Sequence, residues 1–205
     1  MLTLTTLRPQ ALALPLIFAA TLSMAQTETP QDSADEAPGV EADLSLGEVA
    51  TTGPQLGEPY IKETFGDWNM RCVKSNEDED PCQMYQLLAD GDGAPISEVT
   101  LFRLPTGGQA EAGAAIMVPL ETSLAAQLTM KIDDNDARRY PFAFCNTVGC
   151  VSRIGLTPDD VTALKRGSKA IVTIVPIVAP DQKVDVNLSL KGFTAAYDKV
   201  SVLNQ

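Results

Sequence analysis

Histidine is absent from all 205 residues, and that absence narrows the chemistry at once. Without imidazole there is no Ser/His/Asp or Cys/His arrangement, no ordinary general base near neutral pH and no histidine ligand for zinc. Catalysis would have to rest on carboxylates, lysine or tyrosine. Basic residues are scarce, 15 against 27 acidic ones, for a net charge of −12. Nucleic-acid binding needs a face with surplus Lys and Arg, so that class of partner is excluded. Aromatics make up 5% of the chain, with a single tryptophan, Trp68. Past the N-terminal region no long apolar run occurs: the best candidate, AIVTIVPIVAP, is interrupted by Pro176 and Pro180. That falls short of the roughly 20 apolar residues a membrane helix requires.

The beginning of the chain, MLTLTTLRPQALALPLIFAATLSMAQ, carries one basic residue, Arg8, before the apolar run Ala11 to Leu22, then small residues at Ser23 and Ala25. This is the layout of a secretory signal peptide over residues 1–25, cleaved after Ala25. No cysteine follows the cleavage point, so no lipid anchor is expected there. The exported chain has no integral membrane span, and it enters a compartment where paired cysteines oxidise.

From Gln26 to Tyr60 there are eight acidic residues and no basic one, no aromatic before Tyr60, four prolines and four glycines. Such a segment buries too little apolar surface to offset the entropy of ordering. Residues 26–60 therefore read as an acidic disordered linker and spacer, with Val40, Leu44, Leu46 and Val49 as the alternative of a short docking motif. Residues 61–205 read as one domain, with 19 acidic and 14 basic residues.

In that domain the pattern turns to short strands. KVDVNLSLKG alternates Val184, Val186, Leu188 and Leu190 with polar residues; LTMKID and WNMRC do the same. ISEVTLFRL, AAIMVPL, RYPFAF, CVSRIGL and KAIVTIVPIV are further candidates, most bounded by Gly, Pro, Asn or Asp. About eight strands predict an all-β fold, an antiparallel β-sandwich of immunoglobulin-like or jelly-roll-like type. One helix interrupts them in LTPDDVTALKRG, with Thr157 as N-cap, Pro158 at the first position, Asp159 and Asp160 at the start and Lys165 and Arg166 at the end. A second short helical turn is predicted in GFTAAYDKV, where Phe193, Ala196, Tyr197 and Val200 share a face.

Four cysteines remain to be placed, Cys72, Cys82, Cys145 and Cys150. Cys145 ends one predicted strand and Cys150 begins the next, and CNTVGC is the length of a hairpin loop, with Gly149 free to take a left-handed backbone. Cys72 and Cys82 bracket the polar loop VKSNEDEDP. Of the three possible pairings, Cys72 with Cys82 and Cys145 with Cys150 is preferred. Each closure is worth roughly 2 to 3 kcal/mol in the loop-entropy picture. Spacings of nine and four intervening residues do not fit a CxxC redox pair, and zinc lacks both the spacing and histidine partners.

Other polar clusters have structural readings. Glu77 to Asp80 and Asp133, Asp134 and Asp136 fall in predicted loop tips, where Asp and Asn form turns. DDND lacks the spacing, central Gly and distal Glu of an EF-hand loop. Trp68 reads as a core anchor, Arg138, Arg139 and Tyr140 as solvated hairpin residues with an anion or sugar site as the alternative, and Asn187 to Ser189 as a glycosylation sequon inside a strand. No catalytic residue, metal site or cofactor is assigned.

Taken in order, FGDWNMRC (65–72), PCQMYQ (81–86), LFRLP (101–105), YPFAFCNTVGC (140–150), LKRG (164–167) and SLKGFTAAYD (189–198) resemble the invasion-associated locus B family of bacterial envelope proteins. The resemblance covers residues 61–200 or so and leaves the acidic segment out. It implies a secreted or periplasmic domain of β-sandwich type, whose founding members are associated with entry into host cells, and it carries no catalytic residues. The family's cysteine positions match Cys72, Cys82, Cys145 and Cys150. Two functional classes follow: a non-enzymatic binding or adaptor module with a protein partner in the envelope or on a host cell, and a histidine-free enzyme or thiol redox helper of the periplasm. The stapled reading expects essentially no free thiol on titration of the native protein, and a dithiol opened by a mild glutathione buffer contradicts it.

Overall fold

A computed structural model describes residues 45–50, 52–91 and 93–203. The expected signal peptide and residues 26–44 of the acidic segment lie outside the described residues. Among the described residues eleven strands and two α-helices follow one another: β1 (Pro59–Phe65), β2 (Trp68–Val73), β3 (Cys82–Ala89), β4 (Pro95–Arg103), β5 (Ala112–Val118), β6 (Leu128–Ile132), β7 (Arg138–Tyr140), β8 (Phe142–Cys145), β9 (Cys150–Leu156), α1 (Pro158–Arg166), β10 (Lys169–Ile174), β11 (Val184–Ser189) and α2 (Phe193–Lys199).

All pairings within the sheets are antiparallel. The larger sheet has seven strands in the order β1-β2-β3-β4-β5-β9-β8, and the smaller has four in the order β11-β10-β6-β7. From β1 to β5 the large sheet is a plain meander, simpler than the Greek-key connections of immunoglobulin domains and jelly rolls. Alternating side chains from both sheets meet in one core, among them Met70, Met84, Val99, Leu101, Ile116, Leu156, Met130, Val172 and Leu188.

Three details depart from the sequence pattern. RYPFAF is two strands rather than one, because Pro141 cannot extend a ladder and the chain changes sheets there. The Pro141 carbonyl accepts a hydrogen bond from the buried Ser152 hydroxyl at 3.0 Å, which pins the crossing. Strands β1 and β3 lack the expected signal for different reasons. β1 is a mostly exposed edge whose register shifts between Ile61 and Glu63, and CQMYQLLA buries Gln86 in place of an apolar residue. Strand β1 already begins at Pro59, and the Gly57 N–H and Glu58 carbonyl are bonded to Lys74 just before it.

Helix α1 carries its expected cap: the Thr157 hydroxyl accepts from the Asp160 N–H while the Asp160 carboxylate accepts from the Thr157 N–H, with Pro158 at the start. Helix α2 buries Phe193, Ala196 and Tyr197. Phe193 meets the fully buried Trp68 edge-to-face, ring centroids 5.5 Å apart.

That contact is part of a larger interlock. The turn after β1, Phe65-Gly66-Asp67-Trp68, lies directly against the turn after β11, Ser189-Leu190-Lys191-Gly192. The Asp67 N–H donates to the Lys191 carbonyl at 3.1 Å, and the Ser189 hydroxyl donates to the Asp67 carboxylate at 2.6 Å. The Ser189 carbonyl accepts the Trp68 indole N–H at 2.9 Å and the Gln86 amide at 3.0 Å, while Gln86 Oε1 accepts the Ser189 N–H at 2.8 Å. Gly66 and Gly192 both have left-handed φ, +60° and +86°. A β-carbon on Gly66 would stand 2.5 Å from the Lys191 carbonyl oxygen, and one on Gly192 would collide with the Phe65 carbonyl. Each position thus needs glycine twice over. Gly192→Ala is expected to lose at least about 2 kcal/mol, read as a lower urea midpoint at unchanged m-value.

Candidate functional site

Both disulfides are present, and both join residues directly opposite each other across a strand pair: Cys72 with Cys82 between β2 and β3, Cys145 with Cys150 between β8 and β9. The first is buried on both sides; in the second Cys150 is buried and Cys145 exposed. Within CNTVGC the Asn146 side-chain oxygen accepts the N–H groups of Val148 at 2.9 Å and Gly149 at 3.1 Å. Gly149 does not take a left-handed backbone; it is needed because a β-carbon there would strike the Val118 carbonyl.

The acidic loop tips turn out to be braces. Asp80 accepts from the Tyr60 hydroxyl at 2.6 Å and the Ser75 N–H at 2.8 Å, with Lys74 Nζ at 3.2 Å. The Tyr60 hydrogen bond, then that of Ser75, hold its carboxyl well below the usual aspartate range. Asp133 accepts from the Ser168 and Lys169 N–H groups and the Ser168 hydroxyl, again lowering its pKa, and so ties the β6–β7 turn to the end of α1. Among the described residues no three His, Cys, Asp or Glu side chains gather closely enough to hold a metal ion. The Arg138-Arg139-Tyr140 run is split in use. Arg138 pairs with Asp160 at 2.8 Å beside a cavity of about 310 Å³, whereas Arg139 is exposed on the small sheet. Asn187 is exposed on β11, an edge strand.

The candidate site is elsewhere, on the solvent face of the seven-stranded sheet. Alternation puts Glu98, Thr100 and Phe102 of β4 on that face, with Gly113, Ala115 and Met117 of β5 and Arg153 and Gly155 of β9. Register places Gly113 between Phe102 and Gly155, and Ala115 between Thr100 and Arg153. Small side chains in the middle of a sheet leave a trough, and here it is a groove of about 680 Å³. Phe102 folds over Gly113, where a β-carbon would stand 2.5 Å from the ring. Phe144, from β8, and Met117 add apolar wall.

Two arginines line the groove, each lying over an aromatic ring. The Arg71 guanidinium lies 4.1 Å from the Tyr85 ring centroid and also reaches the Thr100 hydroxyl; that of Arg153 lies 5.3 Å from the Phe144 ring. Stacking covers the flat face of a guanidinium and leaves its N–H edge free to bind. The Tyr85 hydroxyl donates to the one acidic residue of the groove, Glu98, at 3.2 Å, and burial followed by that carboxylate raises the Tyr85 pKa.

A family model described as "Invasion associated locus B (IalB) protein" matches residues 68–201. The chain belongs to the invasion-associated locus B family. Invasion protein B homologs from two strains of Brucella abortus, strain 2308 and biovar 1 strain 9-941, are each 30% identical over 161 residues, covering 78% of this chain and 90% of theirs. Both are named as invasion proteins and not as enzymes. The crystal structure of invasion associated protein b from Bartonella henselae has the same fold, with a TM-score of 0.54 at 19% identity over 65% of this chain and 91% of that one. Among the described residues no helix is long and apolar enough to cross a membrane.

Of the motifs that carried the family resemblance, FGDW and SLKGF build the interlock and the cysteines build the staples. Of the groove residues they include Arg71, Gln83, Phe102, Leu104 and Phe144, none of which the sequence reading singled out. Its one readable sign was alternation in ISEVTLFRL and CVSRIGL, which marks Phe102 and Arg153 as outward-facing.

The Asp80 brace has a signed pH dependence. Its folded pKa is depressed, so its contribution is complete above the ordinary aspartate value of about 3.9 and fades as the pH falls below it. Asp80→Asn is expected to lower Tm at neutral pH, and the gap to the parent protein is expected to close on acidification. A gap that is constant with pH overturns that assignment.

Proposed function

We propose that this invasion-associated locus B protein is an exported, non-enzymatic binding module of the bacterial envelope, whose contact surface for a protein partner is the groove of the seven-stranded sheet. The observation that carries the proposal is the pair of arginines lying over aromatic rings beside an apolar trough. Arginine and aromatic side chains dominate the binding energy of protein interfaces, and a guanidinium held in place by a ring loses less entropy when a partner's carboxylate arrives. Large apolar area open to water also costs free energy until something covers it. In this reading residues 1–25 direct export and are removed. The acidic segment from residue 26 up to the start of the folded domain at Gly57 then spaces the domain from its surroundings, and the two disulfides hold the fold rigid in an oxidising compartment.

The names of the Brucella and Bartonella relatives support a link with invasion, and the contact is either with another envelope protein or with a host-cell surface. Two measurements separate the parts of the reading. Arg153→Ala and Phe144→Ala alter exposed side chains and are expected to change folding stability by no more than about 0.5 kcal/mol each. Together they are expected to abolish the complex that chemical cross-linking captures in intact cells; an undiminished complex from the double variant sinks the groove as contact surface. Protease added to unbroken cells is expected to cut within residues 26–56 if the domain is displayed outside. Protection until the outer membrane is opened makes it a periplasmic adaptor instead.

A further inference from the structure

The solvent face of the four-stranded sheet carries a different chemistry. A shallow depression of about 620 Å³ crosses it, lined by Gln127, Thr129, Lys131, Arg139, Thr173 and Lys183 among others. Lys131, Arg139 and Lys183 are exposed, and among the described residues none of them makes an ion pair. The single carboxylate in the lining is Asp185, whose Oδ1 accepts the Thr173 hydroxyl at 2.6 Å. In a domain with 19 acidic and 14 basic residues this is a local reversal of sign. Other acidic groups lie in the connections at the two ends of the sheet: Asp133, Asp134 and Asp136 in the β6–β7 turn, Glu121 and Asp181 in the loops at the other end.

The spacing of the three cations selects among anions. Across the sheet Arg139 stands opposite Thr129, Thr129 opposite Thr173, and Thr173 opposite Asp185. Strands are about 4.8 Å apart, so the backbones of Arg139 on one edge and Lys183 just before the other edge strand are at least roughly 14 Å apart, with Lys131 on β6, one of the two strands between. One phosphate or carboxylate would meet both only with the two long side chains drawn inward across the sheet. A chain with an anionic group on successive units reaches all three. The floor suits such a ligand, since hydroxyls and an amide stand beside Ile171, Val175 and three small alanines, and among the described residues no aromatic one lines it. This gives sugar hydroxyls partners and offers little to an acyl chain or to a hydrophobic interface.

We propose that this face binds a linear glycan bearing repeated carboxylate or sulfate groups, independently of the groove on the other sheet. Because the Debye length at physiological ionic strength is about 8 Å, such a ligand responds to this face and not to the net charge of the whole chain. The competing occupant is an anionic bilayer, because Ile177 and Val178 are exposed in the adjoining β10–β11 loop.

The test is calorimetric titration of the full chain with a heparin-derived octasaccharide, beside flotation with phosphatidylglycerol vesicles. Binding that weakens with added salt is expected. A loss of about tenfold or more is expected when Lys131, Arg139 and Lys183 are all replaced by Ala. Lys62→Ala, on the exposed β1 edge, is expected to change nothing. All these side chains are exposed, so each variant is expected to keep the parent's circular dichroism spectrum. No binding of the octasaccharide at millimolar concentration, equal binding by the triple variant, or vesicle binding that the octasaccharide does not displace would each overturn the proposal.

Discussion

Two glycine turns pressed backbone to backbone, with one tryptophan beneath them, close an end of this fold. Gly66 and Gly192 each approach the other turn's main chain too closely for any side chain. Trp68 then fills the space below and spends its only hydrogen-bond donor on Ser189, whose N–H and carbonyl are both held by Gln86. This arrangement joins β2 and β3 of the large sheet to the far end of the small one. Among the described residues no buried side-chain nitrogen or oxygen lacks a partner, which matters because a buried amide or indole N–H without one costs about 1 to 3 kcal/mol. Gln86 is therefore not a flaw in an apolar strand. It is the clasp that sets where β11 sits against β3.

Sealing that end has a consequence for both outer faces. Register in an antiparallel sheet fixes which residues point outward, and a slip of one residue would turn every side chain of a strand over. The interlock fixes β2 and β11, and the disulfides fix the β2–β3 and β8–β9 pairs at residues directly opposite each other. With the sheets fixed, Gly113, Ala115 and Gly155 line up as a trough under Phe102 and Arg153. On the other sheet the same constraint aligns Arg139, Thr129, Thr173 and Asp185 in one row across four strands.

The two faces differ in kind for a physical reason. On the large sheet, aromatic rings hold the arginines, so charge and apolar surface are combined, which suits a protein contact. On the small sheet, Lys131, Arg139 and Lys183 stand free among hydroxyls. Elsewhere several cations are already engaged: Lys74 with Asp80, Arg138 with Asp160 and Lys165 with Asp198. An acidic chain that gathers three cations outside any ion pair among the described residues on one sheet face gives that face a character its net charge conceals.

Much of this molecule was legible in one dimension because the relevant signals are local. The capping box from Thr157 to Asp160, the hairpin CNTVGC with its two cysteines, and the alternation of β2, β6 and β11 each follow from residues a few positions apart. Net charge and missing histidine bounded the chemistry for the same reason, since composition does not depend on folding. What only the tertiary structure decided involves residues distant in sequence: the fit of Gly66 against Gly192, the burial of Gln86 as a clasp, the change of sheet at Pro141, and the gathering of Arg71, Phe102, Gly113, Phe144 and Arg153 around one trough. Alternation says that a side chain points outward but not what lies beside it. Neighbours across a sheet are set by strand order, and strand order is set by how two whole sheets close over a shared core.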